Sequence, residues 1–566
     1  MSLGMKLLVA LAVGLPLLWL VPVIVAGRRT RWGLPLLPLP ALMLALVSGE
    51  GWQWPLPWLL LDGIWLLDDL RRVFLVLTAL LWCCAGLFAV GYLERVHQRR
   101  FLVFWCLSLC GNLGLILASD VGSFYSFFAL MTFASYGLVV HDGTANALRA
   151  GRVYMAMAVM GEMLLLAGLM LAVAVADSGR LADLPAAVAQ AQNRHLITAL
   201  LVTGFGVKAG LPLLHFWLPL AHPVAPTPAS AVLSGAMIKA GLLGWLLTLP
   251  LGHEALEGWG NLLVGAGAVA ALGGALVGVC QNQPKAVLAY SSISQMGLML
   301  LLVGAALATP DRADLMVPVV ALYALHHGLA KGALFLATAV QLPAQGRGRG
   351  LFWLLIALPG FSLAGLPFTS GALSKLALKE ALAGDQLAMA AAPALTVIMS
   401  AGAVATLLLV LRFLWLQHRH GTRGQNPPAL TLGWLLTVAC SLLLFWWLPW
   451  QVDGLVKPPH WLPEPYQYLG LLWPILAALV TGALAAAWIS RAPRIPPGDL
   501  LVPLQAMTRR LLLHLNVPAV RPPAEPGTLI RRWPQLPCWS SAVEQRLRAG
   551  ATLALAVLVL LMVALV

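Results

Sequence analysis

A small group of ionisable side chains interrupts the long apolar runs of this sequence. The members that lie well inside such runs are Glu162, Lys208, Lys239, His327, Lys331 and Lys375. A charged side chain inside a bilayer is costly, so each of these residues is a functional hypothesis by default. Because all three residue types gain and lose protons, they could line a polar, water-filled axis near the membrane midplane.

Two proline-containing segments lie close to two of these lysines. Lys208 precedes Pro212 by four residues, and Lys375 follows Pro367 by eight. A proline removes a backbone donor and frees a carbonyl, so each segment predicts a helix break with polar backbone that water must solvate. A lysine beside such a break can be hydrated and still shielded enough to exchange a proton.

The remaining candidates lie on neighbouring predicted helices. His327 and Lys331 are four residues apart and share one helix face, and imidazole can pass a proton between its two nitrogens. The secondary candidates are His326, Tyr323 and His215. For His326, a satisfied structural histidine is the alternative. Basic residues near predicted helix ends are expected to extend to the membrane interface, namely Lys285, Lys379 and Arg412.

The composition places these residues in a membrane protein. Of 566 residues, 60% are hydrophobic and 10% charged, whereas soluble domains carry roughly a quarter charged residues. The net charge of +14 is expected to reflect basic cytoplasmic loops, because no nucleic-acid-binding motif accompanies it. The seven cysteines form no CxxC pair and no Cys/His metal spacing. The sequence therefore predicts no metal site and no cofactor.

A spanning helix needs ~20 apolar residues, and the sequence predicts an all-α polytopic membrane protein with about 14–16 transmembrane helices. Residues 33–48 are predicted to form one span. The predicted spans 196–220 and 352–384 contain Pro212 and Pro367, respectively. The predicted regions are N-terminal helices at 1–100, two repeats at 101–250 and 251–416, C-terminal helices at 417–490, a basic amphipathic segment at 491–548 and a final span at 549–566.

Charge in the loops predicts the orientation. Lys and Arg collect in alternate loops, which the positive-inside rule assigns to the cytoplasm, and Arg71 and Arg72 are the main misfits. We therefore expect a multi-pass protein of the cell (inner) membrane with both termini on the periplasmic or exterior side.

The sequence also contains a short internal repeat. Ala209-Gly-Leu-Pro212 recurs as Ala364-Gly-Leu-Pro367, each preceded by a Gly-Phe pair. Breaks at corresponding points of two halves are the sequence pointer to discontinuous helices at a transport site.

Longer motifs resemble a known family. The run from Lys208-Ala-Gly-Leu-Pro to Met-Ile-Lys239-Ala-Gly, the His327-Gly-Leu-Ala-Lys331 helix and Ala364-Gly-Leu-Pro-Phe-Thr-Ser-Gly-Ala-Leu-Ser-Lys375 resemble the antiporter-like, proton-conducting membrane subunits. Such subunits occur in complex I, Mrp-type antiporters and membrane-bound hydrogenases. The resemblance implies two inverted five-helix repeats with broken helices 7 and 12. It also implies that Lys208 is the input lysine, that Lys239, His327 and Lys331 connect, and that Lys375 is the output lysine.

The sequence departs from the family pattern at three points. Ala129 stands where the family's fifth helix normally carries a glutamate, the partner of the input lysine, and we expect Glu162 on the next helix to replace it. Tyr323 stands where many members have histidine, and Leu376-Ala377 where complex I versions tend to be acidic. The last difference favours Mrp-like or hydrogenase-like relatives.

These observations predict a proton-translocating subunit of a larger membrane complex. Other membrane subunits are its expected partners, and exchange of H⁺ against Na⁺ stays open. The alternative is a structural or partly degenerate scaffold subunit of a redox or uptake complex, which the missing glutamate favours. A redox subunit that binds quinone is a further alternative, but the sequence has no cofactor motif to support it.

Overall fold

The computed structural model of the chain describes residues 3–49, 51–56, 63–93, 98–343, 348–382, 392–447, 472–489 and 495. The described part is almost entirely helical, as predicted. Its α-helices, α1 to α20 in chain order, are Leu3–Leu18, Leu20–Ala26, Leu39–Val47, Asp69–Tyr92, Gln98–Leu117, Val121–Val139, Ala145–Ala176, Leu184–Gln190, Arg194–Ala209, Trp217–Val224, Thr227–Val232, Lys239–Thr248, Glu257–Val279, Pro284–Ala308, Ala313–Ala337, Gly348–Ala364, Ser370–Leu382, Ala392–His420, Pro428–Trp447 and Leu472–Ile489.

Ten helices of the described part are long and apolar enough to cross a membrane. Several others are shorter because a break divides them, as in the predicted runs 196–220 and 352–384. The span predicted at 33–48 is wrong in extent: turns occupy residues 34–38, and helix α3 has only nine residues. The segment 491–548 and the final span 549–566 lie outside the described residues, apart from Ile495.

One element was not predicted. Strands β1, Trp52–Leu56, and β2, Gly63–Leu67, form an antiparallel hairpin between α3 and α4. Alternate residues of both strands are buried, which is the pattern expected of strands with one face on the protein. The backbone N–H of Ile64 donates to the Asp120 carboxylate over 2.8 Å, so the hairpin is attached to the start of α6.

Two arginines lie at one end of the bundle, where each donates to a carbonyl at the end of another helix. Arg31 donates to the carbonyl of Leu93 over 2.9 Å, and Arg100 donates to the carbonyl of Val140 over 3.3 Å. We call this end the basic face; the start of α14, with Lys285, also lies there. The clustering agrees with the alternate-loop pattern of the sequence.

The two misfit arginines lie at the opposite end and are neutralised locally. Arg71 forms an ion pair with Asp68, and Arg72 lies 4.0 Å from Asp69. Arg72 also donates to the carbonyl of Ser48 over 2.9 Å. The Arg72 guanidinium therefore joins the start of α4 to the end of α3.

Helices α14 and α15 form the centre of the bundle. The most apolar 18 residues of each are all buried, which requires neighbours on every side. They are joined by the short segment 309–312 and run antiparallel, so the start of α14 and the end of α15 lie at the basic face. Helix α15 of this pair carries Tyr323, His326, His327 and Lys331.

Candidate functional site

The first predicted break lies between α9 and α10. Helix α9 ends at Ala209, and Gly210 adopts a left-handed conformation with φ +80°. The N–H of Leu211 then donates to the carbonyl of Gly206 over 2.8 Å, which is the Schellman termination. Leu213 is also left-handed, with φ +69°, and α10 begins at Trp217.

The second break, between α16 and α17, repeats this backbone residue for residue. Gly365 has φ +97° and Phe368 has φ +62°. The N–H of Leu366 donates to the carbonyl of Phe361 over 3.0 Å, again five residues back. The repeated Ala-Gly-Leu-Pro motif in the sequence therefore corresponds to two copies of one helix-ending structure.

Lys208 occupies the last turn of α9, directly before the first break. Its side chain is buried, and its Nζ donates to the Thr132 hydroxyl over 3.2 Å and to the Tyr154 hydroxyl over 3.4 Å. Tyr154 in turn donates to the carbonyl of Thr132 over 2.7 Å. Helices α6 and α7 thus supply the groups that hold the ammonium.

Glu162 lies in the same pocket as Lys208. The pocket is lined by Thr132, Tyr154, Glu162 and Lys208 among others, and Glu162 is 4% exposed. Neither carboxylate oxygen has a hydrogen-bond partner among the described residues. The two charges face each other without direct contact, and the ion pairs of the described part all lie elsewhere.

The central candidates begin with Lys239, the first residue of α12. A single π-helical turn, Leu233–Met237, precedes it. Lys239 Nζ donates to the carbonyl of Ser234 over 2.7 Å, and the Ser234 hydroxyl lies 2.7 Å from that of Ser292 on α14. Single π turns concentrate at functional sites in helices.

This π turn packs against α15 at a contact of two glycines. A Cβ added to Gly328 would lie 2.5 Å from the carbonyl oxygen of Gly235, so only glycine allows the helices to approach so closely. Gly328 follows His327 directly. The contact therefore brings the histidine to the segment that carries Lys239.

His327 and Lys331 lie on the same face of α15, as predicted. Lys331 is fully buried, and its Nζ donates to the carbonyl of Leu288 on α14 over 3.0 Å. Neither ring nitrogen of the buried His327 has a hydrogen-bond partner among the described residues. Lys239, His327 and Lys331 lie within electrostatic range of one another.

His326 and Lys375 form the last group. Nδ1 of His326 lies 2.7 Å from the Ser370 hydroxyl at the start of α17, and the histidine lies within electrostatic range of Lys375. Lys375 Nζ donates to the carbonyl of Ala364 over 2.9 Å. Ala364 is the last residue of α16, so this lysine binds a carbonyl that the second break frees.

Two secondary candidates have other neighbours. Tyr323 donates to Gln295 over 2.8 Å, and Gln295 donates to Thr406 over 2.8 Å, which links α15 through α14 to α18. His215 packs beside Phe216, with ring centroids 5.1 Å apart. Pro212 and Pro367 lie within the two breaks.

The structure therefore brings the predicted residues together in three groups. These are Glu162 with Lys208, Lys239 with His327 and Lys331, and His326 with Lys375. Between the first two groups, the Ser135 hydroxyl lies 4.0 Å from the sulfur of Met237 in the π turn.

Three residues of this region were not among the predicted site residues. Thr132 and Tyr154 hold Lys208, and His222 on α10 is a further fully buried histidine near the central lysines. Tyr154 lies in an apolar run without any spacing signal, whereas His222 lies inside the long run of resemblance. The basic residues expected to extend to the membrane interface differ in their exposure. Lys379 is exposed, but Lys285 is half-buried and donates to the carbonyl of Ala225 over 2.8 Å.

The described residues contain no group of three or more His, Cys, Asp or Glu side chains that could hold a metal ion. The ionisable residues are instead spread along α7, α9, α12, α15 and α17. Such an arrangement suits the movement of a small charge over a distance.

Comparison with known proteins gives a consistent result. Residues 118–408 match the family model described as NADH:quinone oxidoreductase/Mrp antiporter, transmembrane region. An uncharacterised protein of Mycobacterium tuberculosis (strain CDC 1551 / Oshkosh) is 34% identical over 288 residues, 50% of this chain and 45% of that protein. Hydrogenase-4 component B of Escherichia coli (strain K12) is 29% identical over 282 residues, 48% of this chain and 42% of that protein. The matched stretch thus spans less than half the length of either relative.

A solved structure shows the same fold. A chain of the Mrp complex from Dietzia sp. DQ12-45-1b superimposes with a TM-score of 0.66 at 21% identity, over 83% of this chain and 100% of that one. The family match covers more than half of the 566 residues and includes Glu162, Lys208, Lys239, His327, Lys331 and Lys375. The chain belongs to the NADH:quinone oxidoreductase/Mrp antiporter transmembrane family.

Proposed function

We propose that this chain is a proton-translocating subunit of a larger complex in the cell membrane. The observation that carries the proposal is the set of buried ionisable groups from Glu162 and Lys208, through Lys239, His327 and Lys331, to Lys375. A structural subunit has no need for such groups, because buried unpaired charge destabilises a membrane protein. The family match and the likeness to an Mrp complex support the same function.

The Glu162–Lys208 pocket is the proposed input. An opposite charge within about 4–6 Å favours the protonated lysine. Because Glu162 does not touch Lys208 directly, a small helix movement can change their separation. Such a movement, driven by a neighbouring subunit, would make Lys208 bind or release its proton.

The released proton would then pass to the central group and on to Lys375. Lys239, His327 and Lys331 lie close enough for their charges to interact, so a proton on one disfavours a proton on the next. Moving one charge against 100 mV costs about 2.3 kcal/mol. A change in one close charge pair is of this order, because each pKa unit corresponds to about 1.4 kcal/mol.

Proton flux through liposomes tests this function. The full chain is reconstituted with a pH-sensitive dye inside, and flux is driven by a potassium diffusion potential with valinomycin. We expect flux above that of empty liposomes, and a fall of at least tenfold in Lys208→Ala. Adding Na⁺ on one side, without a potential, separates proton conduction from exchange of H⁺ against Na⁺.

A scaffold subunit is the second candidate, because Ala129 lacks the carboxylate that the family's fifth helix normally carries. A scaffold would show the flux of empty liposomes in both the wild-type chain and Lys208→Ala. Retained assembly with partner subunits in Lys208→Ala would accompany either outcome.

A further inference from the structure

His222 is a fully buried histidine to which the proposed path assigns no role. Its exposed fraction is 0%, and neither ring nitrogen has a hydrogen-bond partner among the described residues. The ring stacks on Phe335 of α15, with centroids 4.5 Å apart and planes 28° apart. Buried polar groups are almost always hydrogen-bonded, so an unpartnered imidazole at this depth requires an explanation.

The position of His222 follows from the antiparallel pair α14 and α15. Lys331 Nζ binds the carbonyl of Leu288, which lies one turn beyond Lys285 along α14. Three residues of helix rise about 4.5 Å. Phe335 lies one turn beyond Lys331 towards the basic face. The backbone of Phe335 is about 6 Å closer to the basic face than that of Lys331, so the imidazole stacked on this ring lies near the level of Lys285.

The charged groups around the ring agree with this position. The lysines within electrostatic range of His222 are Lys239, Lys285 and Lys331, and they come from the three helices α12, α14 and α15. Each of these lysines donates a hydrogen bond to a backbone carbonyl. None is neutralised by a direct ion pair within the described part of the chain.

Side chains of decreasing exposure lead from the basic face to these groups. Asp142, in the loop after α6, is exposed and lies within electrostatic range of Lys285. Lys285 is half-buried and binds the carbonyl of Ala225 at the end of α10. The hydroxyl of Ser230 donates to the carbonyls of both Ala225 and His222. Exposure thus falls stepwise from Asp142 through Lys285 to His222.

We propose that His222 relays protons between Lys285 at the basic face and Lys331 in the centre, which gives the axis a second access route. This inference rests on the proposed function. In one transfer, an N–H bond of the Lys285 ammonium breaks and the proton adds to the free ring nitrogen of neutral His222. The other ring nitrogen then gives up its proton to the neutral amine of Lys331. The charge moves inward by one residue at each step, and no other reactant is needed.

The test uses proton flux of the full chain in liposomes, driven by a potassium diffusion potential. His222→Gln keeps a polar side chain of similar size but cannot carry a proton, and we expect it to lower flux at least fivefold. His195→Gln, at an exposed position on the opposite end, is the matched control and leaves flux unchanged. Lys285→Met and Lys285→Arg should each act like His222→Gln, because neither residue releases a proton at neutral pH.

If His222 and Lys285 act in series, the effects of their substitutions on flux should not multiply, unlike those of two separate structural defects. The double variant His222→Gln/Lys285→Met should lose no more flux than either single variant, whereas independent structural defects multiply. Isotope-labelled histidine followed by nuclear magnetic resonance should show one titrating imidazole that is missing in His222→Gln.

The outcomes separate this inference from the proposed function. If Lys331→Met abolishes flux while His222→Gln and Lys285→Met retain it, the route is wrong and the function stands. If the wild-type chain conducts no protons, the function itself fails. Should His222→Gln not fold, judged by size-exclusion chromatography, the two Lys285 variants decide the question alone.

Discussion

The two helix breaks have the same backbone conformation but differ in the side chains that donate to their carbonyls. In both, a left-handed glycine is followed three residues later by a left-handed apolar residue, and one N–H reaches five residues back. At the first break, the carbonyl of Val207 accepts from the indole of Trp217 over 2.7 Å. At the second break, the carbonyl of Ala364 accepts from Lys375.

The lysines therefore have different tasks relative to their breaks. Lys208 lies before the first break and binds side-chain hydroxyls, with Glu162 in the same pocket. Lys375 lies after the second break and binds the backbone itself, and no carboxylate faces it among the described residues. The break thus supplies polar backbone in both halves, and among the described residues a carboxylate shares the pocket of the lysine in the first half alone.

Removal of that counter-charge should have the largest effect. Glu162→Gln keeps the shape of the pocket but loses the negative charge opposite Lys208, so we expect proton flux in liposomes to fall to the level of Lys208→Ala. The double variant should fall no further, because the two residues act as a pair. Unchanged flux in Glu162→Gln would show that the two halves operate without a counter-charge.

A methyl group on the turn glycines should distinguish the breaks by stability. Gly365→Ala places Cβ 3.1 Å from Lys375 Cδ, whereas the nearest atom for Gly210→Ala is 3.5 Å away on Leu218. Both variants carry the left-handed penalty of about 1–2 kcal/mol. We expect Gly365→Ala to unfold at the lower temperature in detergent, because it also displaces the lysine. The reverse order would indicate that the first break is the tighter one.

The smallest effect is expected at the indole that serves the first break. Trp217→Phe keeps the ring beside Tyr154 but leaves the Val207 carbonyl without its donor, at a cost of about 1 kcal/mol. Thermal unfolding should register this loss while proton flux is retained. Lys375→Met removes the corresponding donor at the second break and should abolish flux as well. Equal flux in these two variants would show that the donor at the second break has no more than the structural role of the donor at the first.

Much of the fold was predictable because hydrophobicity and length determine it. Long apolar runs such as Asp69–Tyr92 and Pro284–Ala308 became helices long enough to span a membrane, and the two proline segments became breaks. The paired strands at 52–56 and 63–67 were missed, because two five-residue strands resemble any short apolar stretch. The length of α3 was overestimated because the apolar run continues through Pro35 and Pro38, which lie in turns before the helix.

The ionisable residues of the site could be predicted from the sequence, but their hydrogen-bond partners could not. Ionisable residues inside apolar runs are conspicuous, so Lys208, Lys331 and Lys375 could be selected from the sequence. Their partners were not visible, because Lys208 binds hydroxyls 76 and 54 residues away and Lys331 binds a backbone carbonyl. His222 escaped notice because its significance depends on neighbours from three other helices.

The π turn before Lys239 has a consequence for how the chain tolerates insertions and deletions. A π turn holds one residue more than an α-helical turn, and each residue rotates a helix by about 100° at 3.6 residues per turn. Deleting one residue from 233–237 would restore a regular helix and leave Lys239 on nearly the same face, because the wider turn already absorbs the rotation of its extra residue. The face on which Lys239 lies therefore depends less on the number of residues in this segment than it would in a regular helix.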